Sequence, residues 1–276
     1  MQKGTDQSSP EGQMMSLLTV ASRPSGAIHL LRRSPASSEA PSGTSVSGRS
    51  VIDALLTAVE CLDTAALYAL IGPESEGFEN WSDANTLAAE LGSSYAALPD
   101  APLVISGPGE ESGTYDSFVE FAIGPFAEDR GADEATRADY TSSANDNLIV
   151  EGIEGSDTSL GWVGYAFYKA EGDRMKAIAV ANDDGECVMP NDETVADNSY
   201  PFSRDLFIYV NVANAQENPA VRSYVDLYLS DEGIASVGNA GYVQETADDL
   251  AAAHAAQVVR QIQDYLAQDA TRPMKL

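Results

Sequence analysis

The stretch APLVISGPGEESGTYDSFVEF, residues 101–121, contains the order of elements that decides the fold. Its apolar run APLVIS is bounded by proline and glycine, a pattern that predicts a short buried strand. A glycine-rich turn follows, and the spacing of Phe118, Phe121 and Ala122 predicts a helix that ends near Gly124. A strand, a glycine-rich turn and a helix in this order are typical of an α/β unit.

Elements on both sides continue this alternation. VIDALLTAVECL (51–62) and DTAALYALIG (63–72) have the apolar spacing of helices, and Asp63 or Thr64 can cap the second of them. KAIAVA (176–181) has the composition of a strand.

The last third of the chain adds a strand and two helices. RDLFIYVNV (204–212) is rich in β-branched and aromatic residues and is the strongest strand signal in the chain. Pro219 stands where the first turn of a helix tolerates proline, and residues 248–269 form a long amphipathic pattern. Earlier in the chain, Asn145 or Asp146 can cap a further helix. The sequence therefore predicts the α/β fold class.

The charge balance restricts the partners of the chain. Its 276 residues include 15 basic and 43 acidic side chains, a net charge of −28, and 43% of the residues are apolar. Such a composition supplies a hydrophobic core but argues against binding of nucleic acid or of an anionic membrane surface. No stretch approaches the roughly 20 apolar residues that span a bilayer.

Residues 1–50 differ in kind from the rest. They carry five basic and three acidic residues and are rich in serine, proline and glycine, with no sustained apolar period. We expect a disordered segment or one foreign to the domain, and we assign it no fold. No basic region precedes its longest apolar run, so a secretory signal is not predicted.

Ser112, Gly113 and Thr114 form a candidate anion-binding turn. The first N–H groups of a helix lack partners within the helix and carry the positive end of its dipole, so such a turn can bind a small oxyanion. The acidic chain would repel an anion at long range, which leaves short-range donors and a local cation to capture it. The alternative is an ordinary helix cap with Ser112 or Thr114 as the acceptor.

Two arginines are candidates for the local cation. Arg130 and Arg137 are the only basic residues between Arg49 and Lys169. Arg137 precedes a capped helix and can offer a bidentate guanidinium to an oxyanion. The alternative is a surface arginine that relieves the repulsion between neighbouring carboxylates.

The sequence does not indicate an enzyme, a metal site or a cofactor. The turn lacks the G-x-S-x-G spacing of a nucleophile elbow, and the two histidines, His29 and His254, lie outside any catalytic pattern. The acidic run 182–186 lacks the spacing of a calcium loop. Cys61 and Cys187 are the only cysteines; neither belongs to a CxxC motif, and the sequence by itself leaves open whether they are free thiols or paired.

The order of the motifs is more informative than any one of them. PLVISGPGEESGTYDSFVEF, RADYTSSANDNLIVEGIEG, LGWVGYAFYKA and SYPFSRDLFIYVN follow one another as in the substrate-binding proteins of bacterial phosphate ABC transporters, which this chain resembles from about residue 59 to about residue 265. The resemblance implies a type II periplasmic binding protein fold, with one complete lobe plus part of the second. It implies a phosphate-binding α/β lobe over 51–202, and a hinge strand and C-terminal helices of the other lobe over 203–276.

The resemblance also implies site residues. Ser112, Gly113 and Thr114 match the phosphate-binding turn, whereas the arginine that precedes this turn in family members is replaced by Gly107-Pro108-Gly109. We propose Arg137 as its replacement on physical grounds. Export would favour a disulfide between Cys61 and Cys187.

The function that the resemblance implies is binding of inorganic phosphate outside the cytoplasmic membrane and delivery to an ABC transporter permease. The expected location is periplasmic or extracytoplasmic, and the membrane is reached only through the permease or a lost lipid anchor. The family's N-terminal part of the first lobe has no match here. The alternative is therefore a truncated structural or interaction module that no longer binds phosphate, and phosphate, arsenate and sulfate are not distinguished by the sequence alone.

Overall fold

A computed structural model describes residues 16–19, 22–23, 26–30, 59–171, 174–244 and 246–252. These residues form short strands and helices in alternation, which confirms the predicted α/β class. The chain divides into two compact units, one of residues 22–205 and 236–246 and the other of residues 1–21, 206–235 and 247–276.

The strands lie in four sheets. In chain order they are β1 (Ser16–Thr19), β2 (Ser22–Arg23), β3 (Gly26–Leu30), β4 (Cys61–Leu62), β5 (Val104–Gly107), β6 (Thr141–Ser142), β7 (Ser159–Gly164), β8 (Lys176–Ala177), β9 (Ala179–Ala181), β10 (Cys187–Val188), β11 (Phe207–Val210) and β12 (Val243–Gln244).

The α-helices of the described residues lie between these strands. They are α1 (Thr64–Ile71), α2 (Asn85–Glu90), α3 (Gly113–Phe118), α4 (Gly124–Arg130), α5 (Asp146–Glu154), α6 (Tyr165–Glu171), α7 (Asp192–Ala196), α8 (Val212–Glu217), α9 (Pro219–Tyr228) and α10 (Asp231–Asn239). Two 3₁₀ turns, Pro73–Ser75 and Trp81–Ala84, connect α1 to α2.

The larger unit is built on a five-stranded sheet of order β6-β5-β7-β3-β8. β6, β5 and β7 run parallel, whereas β3 is antiparallel to both β7 and β8. Because the parallel strands β5 and β7 end at the same edge, the turn that follows β5 and the start of α6 lie at that edge. The candidate turn is therefore placed at the carboxyl ends of the parallel strands of this mixed sheet.

A second, three-stranded sheet of order β10-β9-β4 completes this unit's strands, together with the β2–β12 pair. β4 is parallel to β9 and β10 is antiparallel to it, so both outer strands are held by the central β9. A disulfide joins Cys61 of β4 to Cys187 of β10, with their Cα atoms 5.9 Å apart. This is the pairing that the resemblance implies.

The core of the larger unit is aromatic and aliphatic. Its largest fully buried side chains include Trp81, Trp162, Tyr68 and Tyr200. α1 is buried along nearly its whole length, which matches its composition of alanine, leucine, tyrosine and isoleucine. A helix buried on all sides is stabilised mainly by its packing, because so few of its residues can form charged pairs on its surface.

The predicted helix caps are confirmed in two places. Asp63 caps α1 by accepting from the N–H of Ala66 at 2.8 Å, and Asn145 caps α5 by accepting from the N–H of Asn147 at 3.1 Å. Both residues have extended backbone angles, which aim a side-chain oxygen at the first turn.

Two sequence-based boundaries are wrong. Cys61–Leu62, expected to end a helix, forms β4, because pairing with β9 overrides the local apolar spacing. The helix that begins at Gly113 does not end near Gly124 but continues through a π-helical turn, Val119–Ile123, into α4. Pro125 lacks an N–H and disturbs the preceding turn, and the wider turn accommodates it.

The smaller unit pairs β1 with β11 in antiparallel register, Ser16 opposite Val210 and Thr19 opposite Phe207. This confirms the strand predicted within residues 204–212, of which Phe207–Val210 form β11. Val225 and Leu229 of the α9 region are buried against Ile208 and Val210, and Pro219 occupies the first turn of α9 as predicted.

Residues 1–50 contain β1, β2 and β3, although the sequence analysis assigned them no element. The expectation that this segment has no fold is therefore wrong for these three strands. Local sequence does not predict them because each pairs with a strand more than 120 residues away in the chain. Of the predicted first and last helices, residues 51–58 and 253–269 lie outside the described residues.

Candidate functional site

The Ser112–Thr114 turn begins the helix that follows β5. Ser112 has an extended backbone, and its hydroxyl accepts from the N–H of Thr114 at 3.1 Å. Its carbonyl accepts from the N–H of Asp116 at 3.1 Å, and the Ser117 hydroxyl donates to the carbonyl of Gly113 at 2.7 Å. The N–H groups of Gly113 and Tyr115 stand in the first turn, where the helix itself supplies no acceptor. Ser112 is thus a helix cap, one of the two residues that the sequence offered for this role, and anion binding by the first turn stays a prediction.

Trp162 of β7 holds the strand end and the helix start together. Its ring stacks on Phe118 of α3 at 4.7 Å between centroids and lies 5.3 Å from the ring of Tyr140. A Cβ at Gly107 would lie 2.5 Å from the Trp162 ring, so glycine is required at the end of β5. The indole N–H of Trp162 is buried and has no acceptor within the described part of the chain.

Tyr140 fixes the loop between β5 and the turn. Its hydroxyl donates to the carbonyl of Pro108 at 2.6 Å. Burial raises the pKa of Tyr140 to about 12, and the charges of Glu110 and Glu111 contribute to the rise. The phenol therefore remains a neutral donor at all physiological pH values. These two carboxylates show that the approach to the turn is acidic.

Two residues distant in sequence lie against the turn. A Cβ at Gly164, the last residue of β7, would lie 3.8 Å from the Thr114 hydroxyl oxygen. The Nη2 atom of Arg204 donates to the carbonyl of Gly113 at 3.0 Å, and a Cβ at Gly113 would lie 3.2 Å from that nitrogen. The guanidinium can approach Gly113 this closely because glycine has no side chain.

Arg137 makes its contacts elsewhere. Its side chain is only 5% exposed, and its guanidinium is bonded to both carboxylate oxygens of Asp139 and, from Nη2, to the carbonyl of Phe78 at 2.9 Å. Its backbone N–H donates to the carbonyl of Ile71 at 2.8 Å, and its buried Nη1 has no acceptor among the residues that the structure describes. None of these contacts is to the Ser112–Thr114 turn, so a role as phosphate ligand stays a prediction.

The Arg137–Asp139 pair makes stability depend on pH. The hydrogen bond from Arg137 lowers the pKa of Asp139 from 3.8 to about 2, and the N–H of Gly77 also donates to this carboxylate at 2.8 Å. Because the folded pKa lies below the unfolded one, this stabilisation is fully present above about pH 4 and is lost as the pH falls towards about 2. We expect the difference in unfolding free energy between the wild type and Asp139→Asn to shrink over that interval.

Urea unfolding of both proteins at several pH values across this interval measures the difference. Asp133→Asn, which removes one exposed carboxylate from a neighbouring turn, is the matched control for the change in net charge. A difference that stays constant from about pH 4 to about pH 2 would contradict the assignment of Asp139 as the titrating group.

The described residues contain neither a metal cluster nor a membrane helix. No group of three or more histidine, cysteine, aspartate or glutamate side chains among them is arranged to hold a metal ion. Within the same residues, no helix combines the length and the apolar composition that crossing a bilayer requires.

Comparison with known proteins identifies the family. The profile of a PBP superfamily domain matches residues 46–232, which is more than half of the chain and includes the Ser112–Thr114 turn. The chain belongs to the PBP superfamily.

Its relatives within this superfamily include proteins named for phosphate. It is 41% identical over 147 residues to the Protein SphX of Synechocystis sp., an overlap that covers 53% of this chain and 41% of the relative. It is 30% identical over 165 residues to the Phosphate-binding protein PstS of Staphylococcus haemolyticus, with 60% of this chain and 46% of the relative covered. The chain thus spans less than half the length of these curated relatives.

Solved structures agree with the PBP fold. A possible phosphate binding protein from Planctomyces limnophilus superposes with a TM-score of 0.62 at 24% identity, over 87% of this chain and 71% of the other. A putative phosphate ABC transporter substrate-binding protein from Clostridium perfringens, solved with bound phosphate, gives a TM-score of 0.52 at 20% identity, over 84% and 72% of the two chains. At these identities the likeness shows the fold.

Sequence reasoning missed the arginine that contacts the turn. The predicted residues Ser112, Gly113 and Thr114 lie together, as adjacent residues must, but the fold adds Arg204 to them, not Arg137. Arg204 belongs to the block SYPFSRDLFIYVN, which carried part of the resemblance and was given no role. Basic residues are scarce in this chain, and this scarcity would have pointed to Arg204 if basic residues after Lys169 had also been considered as the local cation.

Proposed function

We propose that this chain binds inorganic phosphate through Ser112, Gly113 and Thr114, as part of a substrate-binding protein that serves an ABC importer. The observation that carries the proposal is a capped helix start at the carboxyl ends of the parallel strands β5 and β7 in a PBP superfamily domain, since the first N–H groups of a helix lack acceptors within it. Relatives named as phosphate-binding proteins support phosphate as the anion.

The binding would work without a positive field around the protein. With a net charge of −28, the chain repels an approaching anion at long range. Backbone N–H groups and hydroxyls act over hydrogen-bond distances, where a bond to a charged oxyanion contributes about 1.5–3 kcal/mol. Selection would therefore depend on the geometry of the donors more than on electrostatic attraction.

Delivery to a permease outside the cytoplasmic membrane is the second part of the proposal. Proteins of this transport class bind and release a ligand and catalyse no reaction, so we propose a non-enzymatic role. The Cys61–Cys187 disulfide supports an extracytoplasmic location, because disulfides persist in oxidising compartments.

Calorimetric titration of phosphate into the 276-residue chain tests the binding site. We expect Ser112→Ala to weaken phosphate affinity by about tenfold to a hundredfold, since one hydrogen bond to a charged ligand is lost. Ser94→Ala, which removes an exposed hydroxyl elsewhere in the same unit, is the matched control and should leave the affinity unchanged.

Three outcomes would contradict the proposal. No binding by the wild type would favour a structural or interaction module that has lost ligand capture. Equal losses in Ser112→Ala and Ser94→Ala would remove the turn from the site. Equal affinity for sulfate would contradict phosphate as the specific ligand. Because Ser112 is also a helix cap, worth about 1 kcal/mol, thermal unfolding of each variant must accompany the titration.

A further inference from the structure

Arg204 lies closer to the Ser112–Thr114 turn than any sequence pattern indicates. Its Nη2 atom is 3.0 Å from the carbonyl oxygen of Gly113 and 3.2 Å from the point where a Cβ of Gly113 would stand. The guanidinium therefore packs against Gly113 in the first turn of α3. Arg204 and the turn belong to the same compact unit.

Arg204 also differs from its neighbours in how its charge is compensated. Within the described part of residues 59–205, the other basic side chains each form an ion pair with at least one carboxylate: Arg130 with Glu74, Arg137 with Asp139, Lys169 with Asp192, Arg174 with Glu154 and Lys176 with Glu60. Arg204 instead donates to a backbone carbonyl. In so acidic a chain, a guanidinium whose contact in the described residues is a neutral acceptor stands out.

A second donor of the same guanidinium is unsatisfied. The Nε atom of Arg204 is buried and has no acceptor among the described residues. A buried donor left without a partner is destabilising, and more so when the group is charged. An oxyanion bound at the turn would bring acceptors to this guanidinium and would also neutralise its charge.

We propose that Arg204 supplies the positive charge of the phosphate site, in place of the arginine that Gly107-Pro108-Gly109 replaces. This inference rests on the proposed phosphate binding at Ser112–Thr114. A carbonyl competes weakly for the guanidinium, whereas phosphate offers two oxygens that match its two parallel N–H groups. Arg137 is held by Asp139 and Phe78 and keeps a structural role.

Gly113 contributes to the same proposed site, because its lack of a side chain leaves room for Arg204. A Cβ there would lie 3.2 Å from Nη2 of Arg204 and would force the guanidinium to shift by a few tenths of an ångström. Gly113→Ala and loss of Arg204 should therefore weaken binding through the same contact.

The experiment is a calorimetric titration of phosphate into the full chain and into four arginine variants. We expect Arg204→Gln to weaken phosphate affinity at least tenfold and Arg204→Lys to weaken it less. Arg222→Gln, which removes an exposed arginine of α9, lowers the net charge by the same amount and should change the affinity less than about twofold. Arg137→Gln should bind within about threefold of the wild type once the fraction of folded protein is taken into account.

A second measurement on the wild type avoids any effect of substitution on folding. Phenylglyoxal modifies accessible arginines, and mass spectrometry after proteolysis reports the extent at each one. We expect phosphate to slow the modification of Arg204 at least fivefold and to leave that of Arg222 unchanged.

The outcomes separate this inference from the proposed function. Binding that survives Arg204→Gln but is lost in Ser112→Ala would overturn the role of Arg204 and leave the phosphate site in place. Unchanged modification of Arg204 under saturating phosphate would also overturn it. Absence of any phosphate binding by the wild type would overturn the proposed function, and this inference with it.

Discussion

Replacing both Cys61 and Cys187 with serine should lower the free energy of unfolding by about 3–5 kcal/mol. The two residues are 126 positions apart, so their disulfide closes a long loop and removes much conformational freedom from the unfolded chain. A loss of this size is a large part of the total stability of a typical domain. Urea unfolding of the oxidised wild type and of the double variant measures it.

The position of the disulfide adds a native-state contribution. It joins the two outer strands of the β10-β9-β4 sheet, where Cys61 packs with Ala179 and Ala181 of the central strand. The Tyr95 hydroxyl lies 2.9 Å from the sulfur of Cys187 and donates to it, because a disulfide sulfur has no hydrogen. Strands of two residues have few ladder hydrogen bonds, so the cross-link stabilises a sheet that is weak by itself.

Reduction provides the control. Adding a thiol reductant to the wild type should reproduce the loss and should not affect the double serine variant. Equal unfolding free energies for the oxidised wild type and the double variant would contradict a stabilising disulfide.

Replacing Arg137 with glutamine should cost about 2–4 kcal/mol of stability. The arginine side chain is 5% exposed, whereas Asp139 is 34% exposed, so the loss should be below the 3–5 kcal/mol typical of breaking a fully buried pair. The substitution leaves the Asp139 carboxylate without its guanidinium partner and the Phe78 carbonyl without its donor.

Arg130→Gln is the matched comparison for this prediction. Arg130 is paired with Glu74 and Glu90, but its side chain is 26% exposed and that of Glu90 60% exposed, so water screens the pair. Its loss should cost clearly less than the loss of Arg137, because exposed pairs contribute little. Equal costs for the two substitutions, measured by urea unfolding, would contradict the distinction between a buried and an exposed pair. Intact stability with lost phosphate affinity in Arg137→Gln would instead support Arg137 as a ligand.

The predictions for Arg137 and Arg204 together assign different roles to these two arginines. Substitution of Arg137 should lower the free energy of unfolding with little effect on phosphate affinity. Substitution of Arg204 should lower phosphate affinity with little effect on the free energy of unfolding. A sequence contains no information on which carboxylates face a given arginine, so this division had to come from the contacts. The sequence analysis selected Arg137 because it precedes a capped helix and can offer a bidentate guanidinium, whereas the fold brings Arg204 to the turn from 91 residues further on.

Local signals in the sequence were sufficient for several features. The α/β class, the strand before the turn, the cap at Ser112 and the caps Asp63 and Asn145 all follow from residue type and spacing. These features depend on interactions within four residues or on the period of one element, which the sequence displays directly. The order of the motifs along the chain was also enough to indicate the family.

Tertiary structure alone decided the rest. Pairing with β9 makes Cys61–Leu62 a strand, and pairing with distant strands gives order to short segments within residues 1–50. The ring of Trp162 requires glycine at position 107, and the guanidinium of Arg204 stands against Gly113 because β7, α3 and the segment before β11 converge there. These contacts join residues that are tens to hundreds of positions apart. Their free energy depends on distances in space, which local propensity and periodicity do not encode.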